Sequence, residues 1–150
     1  MPSPDEIARA SADAMLAEDR ASAAVGIELV SVAPGRATMA MTVRPDMVNG
    51  HDIAHGGYVF LLADSTFAVA CNSYGQRTVA AGCDIAFLQP VRVGERLTAE
   101  ATERHRGLRS GLYDVAVRRE DGSVVAELRG RSRTVAGTLV DAVDVDGAHP

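Results

Sequence analysis

Lysine is absent from this chain of 150 residues, and all fifteen basic residues are arginine. Arginine makes flat, bidentate contacts with carboxylates and phosphates, although genomic bias gives the same composition. Cysteine is nearly absent too, with Cys71 and Cys83 alone. Both stand in apolar stretches, outside any CxxC or Cys/His cluster. They read as buried free thiols of a reducing compartment. The four histidines lack metal-ligand spacing, which argues against a zinc enzyme, and no metal site is expected. No G-x-S-x-G elbow occurs, and the chain is short for a Ser-His-Asp hydrolase. The N-terminus carries no basic region followed by an apolar one, so no secretory leader is expected. The longest apolar run, Tyr58 to Ala63, falls far below the roughly 20 residues that span a bilayer. The expectation is a cytoplasmic protein with no membrane partner. A net charge of −5 argues against nucleic acid as a partner, since that needs a basic face.

What is present suits one globular domain: 47% hydrophobic and 23% charged residues over a length typical of a single core. The domain is expected over residues 1–138. Residues 139–150 are acidic and small and read as a flexible tail. Ser3-Pro4-Asp5-Glu6 is a helix start, with a capping serine, a proline suited to the first turn and a glutamate placed to close a capping box. It predicts an N-terminal helix over 3–20 with Ile7, Ala10, Ala14 and Leu16 or Ala17 on its apolar face.

Residues 27–32 and 37–43 read as two strands joined at Pro34-Gly35-Arg36. A loop through Asn49-Gly50-His51-Asp52 follows, with His51 and Asp52 as loop structure. A long helix is then predicted over 56–74, stopped by Gly75. It is apolar almost all round, which marks a helix wrapped by the rest of the fold. Strands are predicted over 79–88, 96–105, 112–119 and 124–135, the last two joined by the hairpin signal Asp121-Gly122. Two strands, one buried helix and a three- or four-strand antiparallel meander describe an α+β domain whose sheet wraps a central helix.

Asp64 breaks the apolar pattern of that helix. A carboxylate is almost never buried without a partner or a purpose. It stands either on a solvent-facing edge, bonded to Ser65 and Thr66, or in a cleft. His55-Gly56-Gly57 opens the same helix. Helix starts carry unsatisfied N–H groups and partial positive charge, and glycine lets a ligand come close to them. An N–H there is able to polarise a carbonyl oxygen; a plain glycine turn is the other reading. His55 and Asp64 are nine positions apart, which puts them on opposite sides of a helix and roughly 13 Å apart along it. If both act on one atom, they come from two copies of the chain across a twofold interface.

Asn49-Gly50-His51-Asp52-Ile53-Ala54-His55-Gly56-Gly57, then Leu62-Ala63-Asp64 and Ala70-Cys71-Asn72-Ser73, resemble the PaaI-type hot-dog thioesterases of phenylacetic acid degradation. The likeness continues through Phe87-Leu88-Gln89-Pro90, Gly94-Glu95, Gly111-Leu112-Tyr113-Asp114 and Gly130-Arg131-Ser132, covering about residues 20–138. The resemblance implies a hot-dog fold, a five- or six-stranded antiparallel sheet around one long helix. It implies hydrolysis of a (hydroxy)phenylacetyl-CoA or a related aryl or medium-chain acyl-CoA, with no cofactor. It also implies a homodimer with active sites at the interface, paired into a homotetramer. In those terms the Gly56 N–H polarises the thioester carbonyl. Asp64 of the other copy is nucleophile or general base, and His55 and Asn49 position the thioester or water.

From Arg104 to Arg133 the chain carries eight arginines (104, 106, 109, 118, 119, 129, 131, 133) against four carboxylates. Arg106, Arg109, Gly111, Arg131 and Arg133 are the candidates for holding the phosphates of CoA, against the reading of a solvated sheet face. The expected acyl pocket uses Phe60 and Phe67 from the helix and the small residues Ala81 and Gly82. Two other functions remain open at this point: a non-catalytic acyl-CoA-binding regulator, and a hot-dog acyl-CoA hydratase or dehydratase.

Overall fold

The computed structural model describes residues 1–140; the expected tail lies, from residue 141 on, outside them. Ser3 Oγ accepts the Glu6 N–H at 3.1 Å and caps the first helix, α1 (Pro4–Glu18). The chain then breaks at Asp19, whose carboxylate accepts the Ser22 N–H and starts a second short helix, α2 (Arg20–Ala24). The helix expected over 3–20 is α1, which stops at Glu18, and a second short helix follows it, because an aspartate that bonds its own backbone competes with helix continuation. The fully buried side of α1 is Ala8, Ser11 and Ala12. The expected face through Ile7 and Ala10 is half-covered.

The first hairpin forms as the alternation implies, β1 (Glu28–Ala33) with β2 (Arg36–Thr42). Gly35 turns it at φ +72°, a conformation that favours glycine. The long helix, α3 (Gly56–Cys71), ends three residues short of the expected Tyr74. Asn72 causes this: its side-chain amide donates to Ala68 O and Thr78 O and its carbonyl accepts the Thr78 N–H, tying the helix end to the next strand. The remaining strands are β3 (Gln76–Phe87), β4 (Arg96–Arg106), β5 (Ser110–Arg118) and β6 (Val124–Thr138).

All six strands form one antiparallel sheet in the order β1-β2-β4-β5-β6-β3. The meander is β4-β5-β6. The strand that precedes it in sequence does not join it there, because β3 crosses to the far edge and pairs with β6. The long edge strand β3 thus has one ladder partner and one open side.

Helix α3 packs against every strand. Leu62, Phe67 and Val69 meet Met39, Met41, Leu97, Val115, Val117 and Leu128 in the core. The helix is not wrapped all round, however. Phe60, Leu61, Asp64 and Ala68 are only partly covered and Gly57 is exposed. Their spacing of three and four residues makes one stripe. A sheet of six strands closes over one side of the helix and leaves that stripe open.

Phe67 fits under Gly130. A Cβ on Gly130 would stand 2.8 Å from two atoms of its ring. Gly130→Ala is therefore expected to lower the melting temperature by several degrees, an overpacking cost of about 1–3 kcal/mol. Thermal denaturation of the purified variant tests this, and an unchanged midpoint would mean that the ring yields freely.

Candidate active site

The start of α3 is built by the loop before it. A bridge between Val48 and Ala54 closes that loop, and the His55 N–H donates to Met47 O at 2.7 Å. Asn49 Oδ1 accepts the His51 N–H at 2.9 Å, and Asp52 takes the turn at φ +60°. His51 and Asp52 are loop structure, and the turn they make fixes the Asn49 side chain. Its Nδ2 amide is left without an acceptor among the described residues.

His55 is the N-cap of α3. Its Nδ1 accepts the Gly57 N–H at 2.9 Å and its carbonyl accepts the Tyr58 N–H. A neutral ring held this way carries its proton on Nε2. No acceptor among the described residues takes the Gly56 N–H. One unpaired donor therefore stands at the positive end of a sixteen-residue helix, which suits an oxygen that gains negative charge.

Gly56 and Asn49 line the same cleft, of about 350 Å³. Its walls include Ile53, Val59, Phe87, Leu88 and Pro90. Two larger open hollows, of about 390 and 630 Å³, hold neither Gly56 nor Asp64. Asp64 is absent from the Gly56 cleft as well. Eight residues along the helix, it is about 12 Å away.

Asp64 lies half-buried on the open stripe of α3. Ser65 and Thr66 do not satisfy it. Ser65 Oγ pairs with Ser22 Oγ at 2.7 Å, and Thr66 Oγ1 donates to Leu62 O. Burial, and then the nearby charge of Asp19, raise its carboxyl above the ordinary range. Asp19 is placed there by the break between α1 and α2, where Ser22 bonds it at 2.6 Å. That neighbour was hidden in the sequence, forty-five positions from Asp64.

The expected acyl-pocket residues do not come together in the single chain. Phe60 is half-exposed on the open stripe. Phe67 is fully buried against Tyr113, with ring centroids 5.6 Å apart. Ala81 is exposed at a bulge in β3. The room left by Gly82 is taken by the Arg131 guanidinium, 2.9 Å from where a Cβ would be. The residues that do wall the cleft, Phe87 to Pro90, went unassigned. The sequence signal was an aromatic and a leucine ending a strand just before proline.

The candidate CoA residues divide. Arg106 stacks on the Tyr74 ring at 3.6 Å, a useful cation–π contact. Tyr74 and Tyr113 both donate to Glu103 Oε1, so this arginine caps a structural network. Arg131 reaches Asp84 at 3.5 Å. Gly111 is buried, with Ser132 Oγ 2.7 Å from its missing Cβ, so it serves packing and cannot touch a ligand there. Arg109 and Arg133 are exposed and have no acidic partner among the described residues. Arg133 pairs with Val79 and Ala126 with Phe87, so Arg133 lies roughly 26 Å along the sheet from the Gly56 cleft.

Residues 51–126, the span from the loop before α3 to early β6, match the family model described as the Thioesterase superfamily. The chain belongs to that superfamily. Among curated thioesterases, the acyl-coenzyme A thioesterase PaaI of Escherichia coli is 44% identical over 85% of this chain and 91% of its own length. The solved structure of the E. coli PaaI protein from the phenylacetic acid degradation operon superposes with a TM-score of 0.89 at 43% identity, covering 91% of this chain and 99% of that one. A mutant of the phenylacetic acid degradation protein PaaI of Thermus thermophilus gives 0.75 at 37% identity, covering 78% and 100%. The expected thioesterase fold, a six-stranded antiparallel sheet with one long helix against it, is thereby found. So is the enzyme class, a thioester hydrolase. No described helix is long and apolar enough to cross a membrane, and no group of metal-ligating side chains gathers among the described residues.

Proposed function

We propose that this chain is a cytoplasmic acyl-CoA thioesterase acting on aryl-acetyl-CoA or related acyl-CoA substrates, with each site shared between two copies. The observation that carries the reading is the unpaired Gly56 N–H in an apolar cleft, with an unpaired carboxylate outside it on the open stripe of the same helix. The donor and the base are both free, and one chain cannot bring them together.

A twofold axis at the open side of β3 supplies the missing half. Pairing that edge with itself makes the two strands antiparallel. It covers the open stripe, and it carries Asp64 of one copy toward the Gly56 of the other. The same operation moves Arg109 and Arg133 of the second copy toward the cleft of the first, where CoA phosphates would favour them. The edge is twelve residues long and carries an exposed apolar Val79, and proteins seldom leave such an edge open.

The chemistry needs little more. The Gly56 N–H and the helix end stabilise the oxyanion as the carbonyl carbon becomes tetrahedral. Asp64 accepts the proton of an attacking water, or attacks the carbon itself to give an anhydride that water then cleaves. A C–O bond forms and the C–S bond breaks; the proton that Asp64 takes from the water passes to the leaving sulfur, so CoA departs as the thiol and Asp64 returns to the carboxylate. Asn49 Nδ2 and His55 Nε2 are donors for the carbonyl or the water. CoA is part of the substrate, and no cofactor takes part.

Thiol release from a panel of phenylacetyl-, hydroxyphenylacetyl- and straight-chain acyl-CoAs tests the reading. Free CoA with the free acid is the expected product. Unsaturated or hydrated acyl-CoA would mean hydratase or dehydratase chemistry. CoA binding with no turnover would mean a binding protein.

A further inference from the structure

The ring of Phe87 occupies the approach to Gly56. A Cβ at position 56 would stand 3.0 Å from Phe87 Cζ and 3.3 and 3.4 Å from its Cε atoms. The tip of the ring thus points at the glycine whose N–H is unpaired. Glycine at 56 is what admits the ring, since any side chain there would push it aside. Yet Phe87 is 55% exposed, so most of its surface is not buried by the fold that positions it.

The backbone beneath this side chain is firmly held. Phe87 is the last residue of β3 and pairs with Ala126. The Leu88 and Gln89 N–H groups both donate to Val125 O. Arg119, only 20% exposed, donates to Gln89 Oε1 and to Pro90 O and lies 3.1 Å from Glu95. A side chain left open on a clamped mount, at the mouth of an apolar cleft, is placed to meet a ligand and not to fill the core.

We infer that Phe87 is a specificity-determining residue, whose ring borders the path of the acyl group to the Gly56 N–H and favours flat aryl groups over flexible alkyl chains. The inference rests on the acyl-CoA reading above. An aryl group one methylene from the carbonyl comes within edge-to-face or offset reach of the ring, an arrangement aromatic pairs prefer. A straight chain gains only dispersion there, and it gives up more rotational freedom when it is fixed.

The test compares kcat and KM for phenylacetyl-CoA and hexanoyl-CoA in the wild type, Phe87→Leu and Phe87→Tyr, with the oligomeric state of each measured by light scattering. Phe87→Leu keeps the apolar wall and removes the ring. It is expected to lower kcat/KM for phenylacetyl-CoA about three- to tenfold, chiefly through KM, and to leave hexanoyl-CoA within about twofold. Phe87→Tyr is expected to keep the wild-type preference. An unchanged ratio between the two substrates in Phe87→Leu overturns the inference, whether both rates hold or both fall. Equal losses with a dissociated dimer would assign Phe87 to the interface instead. A wild type that releases thiol from neither substrate would sink the acyl-CoA reading itself, a failure visible before any variant is made.

Discussion

Asp64→Asn is expected to lower kcat by about 10²–10⁴-fold, the usual contribution of a positioned acid or base, while making the protein more heat-stable at neutral pH. Burial and the charge of Asp19 raise the Asp64 carboxyl. The folded chain therefore holds that proton more tightly than the unfolded chain does. The stability this gives is fully present below the ordinary carboxyl value of about 3.9 and is lost as pH rises through the raised folded value. At neutral pH the ionised group opposes folding. Asparagine has nearly the same shape and no charge, so it removes the opposition along with the base. Melting curves are expected to give a higher midpoint for the variant at pH 7, with the gap closing toward pH 4. A variant that hydrolyses acyl-CoA at the wild-type rate would remove Asp64 from the chemistry. A gap that stays constant with pH would mean that the carboxylate is not strained by its surroundings.

Gly56→Pro is expected to cost about 10²–10³-fold in kcat, the loss seen when one oxyanion donor is removed. The substitution takes away a single hydrogen from a helix position that proline suits, the first of α3. His55, the preceding residue, has φ −60° and ψ 133°, the conformation that proline requires before it. Gly56→Ala is the control. It adds the same Cβ against Phe87 and keeps the N–H, so it separates crowding from loss of the donor. The larger effect comes on mixing. Each variant alone carries the same defect in both of its sites. If a site takes Gly56 from one copy and Asp64 from the other, a mixed dimer of Gly56→Pro and Asp64→Asn has one intact site and one doubly damaged site. Co-refolding equal amounts is expected to restore about a quarter of the wild-type activity, because half the dimers are mixed and each has one good site. Recovery of activity from two nearly inactive proteins would be hard to explain otherwise. No recovery, with mixed dimers verified by mass, would mean that both residues act within one chain and that the separation along the helix has been misread.

Much of this was legible in the sequence because it depends on local rules. Ser3 capped by position, Gly35 at a turn that favours glycine, the alternating strands and the apolar run of α3 each follow from a few neighbouring residues. Asp64 and the His55-Gly56-Gly57 start were visible for the same reason: a charge in an apolar helix and glycine at a helix start both stand out locally. Their separation along the helix also followed from sequence, since a helix has a fixed rise per residue. Family membership was carried by short motifs of the same kind.

What the tertiary structure alone decided involves distance across the chain. The placement of β3 beside β6 rather than β4 depends on which edge of the sheet is free, and no residue in β3 encodes that by itself. Asp19 comes beside Asp64 because α1 breaks where it does and the short α2 that follows docks on α3 through Ser22 and Ser65. Phe67 and Gly82 looked like pocket residues by size, but one is covered by Gly130 and the other by Arg131 on the strand next to it. The wall that does face Gly56, Phe87 to Pro90, lies more than thirty positions along the chain and is brought there by sheet pairing and by Arg119. Local propensity sets each element, while the contents of a cleft depend on which elements the core leaves free to meet, and burial settles that only for the whole chain at once.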